Sequence, residues 1–156
     1  MPAEQYVDAN VLLAYVLEEE GAPVVEQLLL EADKGDRRLL TSTVSIVEVA
    51  FGAETAKGGA LDPGTLSTID NLWSGGRPVA LADASIRTMY EARDIAREAR
   101  RRNRRLTPRD AIHLATAVAA GVEKFFTYEK DETRKIWAEI TGLDVEEPNV
   151  EQMPML

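Results

Sequence analysis

Short β-prone runs alternate with longer apolar stretches of helical spacing along almost the whole chain, and this alternation restricts the possible folds more than any other feature. Gln5-Tyr6-Val7, Arg38-Leu39-Leu40-Thr41, Pro78-Val79-Ala80-Leu81 and Lys124-Phe125-Phe126-Thr127-Tyr128 read as strands, with Leu143-Asp144-Val145 as a short last one. Helices are expected from Val11 to Gly21, Val24 to Gly35, Ser45 to Gly59, Asp62 to Gly76, Asp83 to Arg102, Thr107 to Gly121 and Asp131 to Thr141. Asp62-Pro63 and Thr107-Pro108 are helix starts, each a capping side chain followed by proline at the first helical position. In the long helix from Asp83, the pattern points Ile86, Met89, Tyr90 and Ile95 inward and the arginines outward. Strands joined through helices imply a mainly parallel sheet covered on both faces. The expected architecture is a three-layer α/β/α sandwich with a four- to five-stranded sheet. We read one domain over residues 1–147 and a C-terminal tail over 148–156, with Trp73 and Trp137 as core or dimer packing.

The chain has 156 residues and 45% hydrophobic content, enough for one core. It has no cysteine, which removes disulfides, iron–sulfur clusters and thiolate zinc sites and suits a reducing cytoplasm. With His113 as the single histidine, a His-rich zinc site is excluded as well. Any bound metal must therefore take oxygen ligands, as Mg²⁺ or Mn²⁺ does. The N-terminal residues lack a basic region and an apolar signal core, and no apolar run nears the roughly 18 residues that span a bilayer. A soluble cytoplasmic protein without membrane contact is expected. Charge is unevenly spread. From Arg87 to Arg109 nine arginines face three acids, a balance of +6 that leaves −15 on the rest of a chain totalling −9. Arg100, Arg101, Arg104, Arg105 and Arg109 are accordingly candidates for the phosphates of a nucleic acid, a solvated helix end being the alternative.

Four acidic positions fall at comparable places on this map. Asp8 ends the first strand, Glu48 lies inside the helix after the second, and Asp110 sits in the first turn of its helix. Glu129 or Asp131 follows the fourth strand. Ligand sites in open α/β sheets collect beyond the carboxyl ends of the strands, so these acids can meet. Each also has a local explanation: Asp8 and Asp131 as N-caps, Ser45 to Glu48 as a capping box, and Thr107 to Asp110 as a similar one. Two like charges about 4 Å apart repel by roughly 4 kcal/mol at a dielectric near 20, so a cluster of carboxylates calls for a divalent cation. Such an ion lowers the pKa of bound water and steadies a reacting phosphodiester. His113 shares a helix face with Asp110 and reads as a packed side chain with no acid–base partner.

Three of these segments resemble one family. Tyr6-Val7-Asp8-Ala9-Asn10-Val11-Leu12-Leu13, Ser45-Ile46-Val47-Glu48-Val49 and Arg109-Asp110-Ala111-Ile112-His113-Leu114-Ala115-Thr116-Ala117 are similar, in order and spacing, to the motifs of PIN domains. The resemblance runs from about Tyr6 to Val145. It departs at Thr127-Tyr128-Glu129, where the family usually carries Thr-x-Asp. It implies an endoribonuclease that hydrolyses RNA with Mg²⁺ or Mn²⁺ held by Asp8, Glu48, Asp110 and either Glu129 or Asp131. Asn10 and Thr127 would orient ligands or water. Single PIN domains of this size resemble VapC-like toxins of type II toxin–antitoxin pairs, which form homodimers and meet a cognate antitoxin. An antitoxin's acidic segment would fit the arginine run too. A nuclease of RNA processing or quality control, and a PIN domain that binds RNA or protein without cutting, are the alternatives.

Overall fold

A computed structural model of the protein describes residues 2–150. In chain order the elements are β1 (Glu4–Val7), α1 (Ala9–Val16), α2 (Ala22–Asp33), β2 (Arg38–Ser42), α3 (Val44–Lys57) and α4 (Pro63–Asp70). They continue with β3 (Val79–Ala82), α5 (Ile86–Arg101), α6 (Pro108–Ala120), β4 (Lys124–Phe126), α7 (Asp131–Thr141) and β5 (Val145–Glu146). The five strands form one sheet in the order β3-β2-β1-β4-β5, and every pair is parallel. The expected three-layer architecture is what the chain adopts.

Chain direction decides which helices cover which face. From β1 the chain steps outward to β2 and β3, then returns across β1 to β4 and β5. Parallel crossovers are right-handed, so reversing the direction of travel puts later helices on the opposite face. The packing agrees. Val7 and Phe126 belong to a core with α1–α4 residues such as Leu12, Leu28, Val49 and Ile69. Their strand neighbours Tyr6 and Phe125 point the other way, into a second core with Leu114 and Trp137. There Tyr6 stacks on Phe125 at 4.9 Å, and Trp137 meets Phe125 edge-on at 6.0 Å. Both tryptophans lie in these cores.

The order reverses between β1 and β4, which makes the crevice at their carboxyl ends a natural ligand site. Thr41 and Ser42 at the end of β2 lead straight into α3, and Thr43 N–H bonds to Ala82 O of β3 at 3.0 Å.

Several expectations are corrected. The helix from Asp62 stops at Asp70, with Asn71 at its C-cap, and not at Gly76; Gly75 and Gly76 lie beyond it with left-handed φ of 72° and 77°. Leu72 and Trp73 instead turn into the core. On α5, Ile86, Met89 and Tyr90 face outward, with Ile86 79% exposed. The buried side is built of Thr88, Ala92 and Ala99, small enough to let α5 lie close against Ala111 and Ala115 of α6. At the C-terminus, Pro148 is buried and Val150 packs on the α1–α4 core, so chain beyond residue 147 is still in contact with the body. The rest of the expected tail, residues 151–156, lies outside the described residues. Among the described residues no helix is long and apolar enough to cross a membrane.

Candidate active site

Asp8 stands where β1 becomes α1, and it is 5% exposed. Its Oδ1 accepts from Ala9 N–H at 2.8 Å, so it does cap α1. Its Oδ2 accepts from Thr127 Oγ1 at 2.9 Å, at the end of the neighbouring strand β4. The Thr127 hydroxyl is held in turn, accepting from Asn10 Nδ2 at 3.1 Å and from Glu129 N–H at 3.2 Å. Asn10 closes the ring by accepting Tyr128 N–H at 3.1 Å. Neighbouring parallel strands thus clamp Asp8 against the first turn after β4. Burial pushes its pKa up, His113 and the Thr127 hydrogen bond oppose that, and the Asp110 charge adds to it.

Glu48 is placed differently from the capping box that Ser45 to Glu48 suggested. α3 begins two residues earlier, with Thr43 at its N-cap, and Ser45 Oγ is engaged with Thr41 Oγ1 at 2.7 Å. Freed from capping, Glu48 Oε1 bonds to His113 Nε2 at 2.6 Å. The other His113 nitrogen, Nδ1, meets Tyr6 Oη at 2.6 Å, and that phenol also accepts Ser42 N–H at 3.0 Å. His113 is 1% exposed, packed as expected, but it has the partners that the sequence did not reveal. The Glu48 carboxylate can only accept, so Nε2–H donates to it, and in the neutral imidazole Nδ1 then accepts the Tyr6 phenol proton. Burial and the Asp8 charge keep the phenol protonated by raising its pKa. His113 Nε2 also lies 3.7 Å from Asp8 Oδ1, so one imidazole spans Glu48 and Asp8. Burial disfavours its charged form, but the Glu48 hydrogen bond and the Asp8, Glu48 and Asp110 charges outweigh it and raise the pKa.

Asp110 lies in the first turn of α6, where Thr107 Oγ1 accepts its N–H at 3.2 Å. Its charge is felt at Asp8, His113 and Glu129. Of the two acids after β4, only Glu129 shares that field. Burial raises its pKa, and the Asp110 and Asp8 charges raise it further. Asp131 is exposed on α7, where it is not the N-cap but follows Lys130. It pairs with Lys135 at 3.0 Å and Arg134 at 3.4 Å, which hold its pKa low. The arginines divide as well. Arg109 Nη1 stands 4.0 Å from Glu48 Oε2, at the site. Arg101 is tied to Glu98, and Arg100, Arg104 and Arg105 line a cleft between α5 and α6.

The donor set is one of hard oxygens around mutually repelling carboxylates, which matches an oxygen-seeking divalent cation. Among the described residues no three acidic or histidine groups form a closed metal cage. A cleft of about 570 Å³ bordered by Asn10, Gly21, Tyr128 and Glu129 opens beside the acids.

Comparison with known proteins places this geometry in context. The chain superposes on VapBC2 from Rickettsia felis, a structure bound to a promoter DNA fragment, with TM-score 0.69 and 14% identity over 92% of this chain and 98% of that one. DNA-bound VapBC from Salmonella typhimurium gives 0.66 and 18% over 93% and 98%. VapC20 from Mycobacterium tuberculosis, described as a toxin that cleaves the sarcin–ricin loop, gives 0.62 and 13% over 83% and 92%. No curated protein matches the chain in sequence. The sequence profile of the PIN domain matches residues 5–136, most of the chain, and the protein belongs to the PIN domain family.

Proposed function

We propose that the protein is a metal-dependent endoribonuclease, using Mg²⁺ or Mn²⁺, and the toxin of a type II toxin–antitoxin pair. The observation that carries this reading is the placement of Asp8 at the end of β1 and Glu129 after β4, joined through Thr127, with Asp110 in the first turn of α6 and its charge raising the pKa of both. The structural likeness to a toxin–antitoxin complex from Klebsiella pneumoniae and, separately, to VapC20, described as a toxin that cleaves the sarcin–ricin loop, supports it. A bound ion would supply an activated water and offset charge on the phosphodiester. Asp8, Asp110 and Glu129 are the residues to hold it, with Glu48 presented by His113. Asn10 and Thr127 keep Asp8 in place, and Arg109 is set to meet a substrate phosphate. RNA, a cognate antitoxin and a second copy of the chain are the proposed partners.

The test is cleavage of single-stranded RNA by purified protein supplied with Mn²⁺. Asp8→Asn should reduce the rate by a factor of about 100 or more, the effect of losing a charge-stabilising group at such a centre. If Asp8→Asn cuts as fast as the native protein, this is not the catalytic site. Expression of the native chain alone should arrest growth, and expression of Asp8→Asn should not.

A further inference from the structure

Where β4 ends, the chain leaves the sheet ladder and its peptide groups need other partners. From Thr127 to Glu129 they are found one by one. Thr127 N–H donates to Glu146 O of β5 at 3.0 Å, Tyr128 N–H to Asn10 Oδ1 at 3.1 Å and Glu129 N–H to Thr127 Oγ1 at 3.2 Å. The Tyr128 hydroxyl adds a tie to Gly21 O at 3.2 Å. All of these hold the segment from its N-terminal side. One bond grips it from the other side: Arg134 Nη1 donates to Glu129 O at 2.6 Å.

Arg134 closes the first turn of α7, its own N–H donating to Lys130 O at 2.9 Å, so the helix fixes the root of its side chain. That side chain is 20% exposed. A charged donor makes a stronger hydrogen bond than a neutral one. Asp131 Oδ1 lies farther from the guanidinium, at 3.4 Å, in an exposed pair of the kind that contributes little. The Glu129 carbonyl is therefore the main partner of Arg134. Glutamate has one more rotatable bond to immobilise than Asp8 or Asp110, so its carboxylate needs a well-fixed backbone beneath it. With its N–H held by Thr127 and its C=O by Arg134, both backbone dihedrals of Glu129 are set, and with them the direction in which its side chain leaves. We propose that Arg134 is a positioning residue for Glu129, acting through the backbone from α7 to aim that carboxylate at the metal beside Asp8. The inference rests on the proposed role of Glu129 as a metal ligand.

Calorimetric titration of the metal-free, full-length protein with Mn²⁺ tests it. Arg134→Met keeps the aliphatic stem without a donor, and it should weaken Mn²⁺ binding by about tenfold, the low end for removing a partner behind a metal ligand. Arg134→Lys restores a charged donor on a long side chain and should recover most of that loss. In a Glu129→Gln background Arg134→Met should cost little more, because the side chain that it aims is no longer a ligand. A role confined to holding α7 together would lower the melting temperature and leave the Mn²⁺ affinity of the folded protein unchanged. Native affinity in Arg134→Met would thus overturn the proposal, and so would an equal loss in the Glu129→Gln background. Should Arg134→Met fail to fold, Arg134→Gln, too short to reach the carbonyl, is held to the same outcomes. Native affinity in Glu129→Gln would remove Glu129 from the ligand set and the inference with it. Because binding is read without RNA, each result stands apart from whether the protein cleaves.

Discussion

A histidine buried between a phenol and a carboxylate must satisfy both ring nitrogens, and here the accept-only carboxylate of Glu48 sets which way each proton points in the neutral imidazole. Tyr6→Phe removes the middle of that chain and leaves Ser42 N–H and His113 Nδ1 without their partner. A loss of about 1–3 kcal/mol is expected for such buried orphaned groups, read by urea unfolding, together with slower cleavage because the imidazole no longer fixes Glu48. A second prediction concerns pH. Asp8, Glu129 and His113 all have raised pKa values, from ordinary values of 3.8, 4.5 and 6.5. Each binds its proton more tightly when folded, so each stabilises the fold below its ordinary value and loses that contribution as pH rises through the raised one. Asp62 and Asp131, held low by their partners, act in the opposite sense only in the acid range below 3.8. The metal-free protein should therefore melt at lower temperature at about pH 8 than at about pH 5. Asp8→Asn should raise the melting temperature at the higher pH and shrink the difference; an unchanged difference would show that Asp8 is ionised without strain. Third, Glu129→Gln should weaken Mn²⁺ binding measured by calorimetry, and Asp131→Asn, confined to its α7 ion pairs, should not.

Helix starts carry much of what could be read in advance, and also the main misreading. The Thr107 cap and Pro108 were legible because the signal is local, two adjacent residues with a fixed geometric role. Thr107→Ala should destabilise by about 1 kcal/mol in thermal melts and slow cleavage as well, since the donor that it caps is the backbone N–H of Asp110. Ser45 and Glu48 carried the same kind of signal and meant something else. Their true partners, Thr41 and His113, come from β2 and α6, and a bond between positions 48 and 113 leaves no trace in local spacing. Tyr6 was passed over for the same reason, although as the residue two before Asp8 it points to the same side of its strand. Lys135 and Arg134, one turn along α7, claim Asp131, and this is the ground for proposing Glu129 over it. On α5 the reading of which side chains face inward failed because alanine, not the larger apolar residues, forms the contact with α6. The alternation of strands and helices, by contrast, is repeated along the whole chain, and the parallel sheet follows from it without any single residue.

At the level of the whole molecule, the exposed apolar side chains have a bearing on self-association. Val47 and Phe51 on α3 are 70% and 66% exposed, and Ile86 on α5 is 79% exposed. Val47 and Phe51, four residues apart on α3, share one helix face; exposed apolar side chains so placed mark association surfaces, and a homodimer is the proposed outcome. Sedimentation should show a dimer that Phe51→Glu converts to monomer with the melting temperature little changed. Sheet order has a different consequence, one of timing. β4 lies beside β1 in space but follows it by more than a hundred residues in sequence, and it delivers both Thr127 and Glu129. A growing chain that has not yet released Lys124 to Glu129 from the ribosome has an Asp8 with no hydroxyl to hold it and a crevice with one wall. For the proposed nuclease, the chemistry therefore cannot begin on a half-made protein, and its substrate is safe from it until synthesis is nearly done.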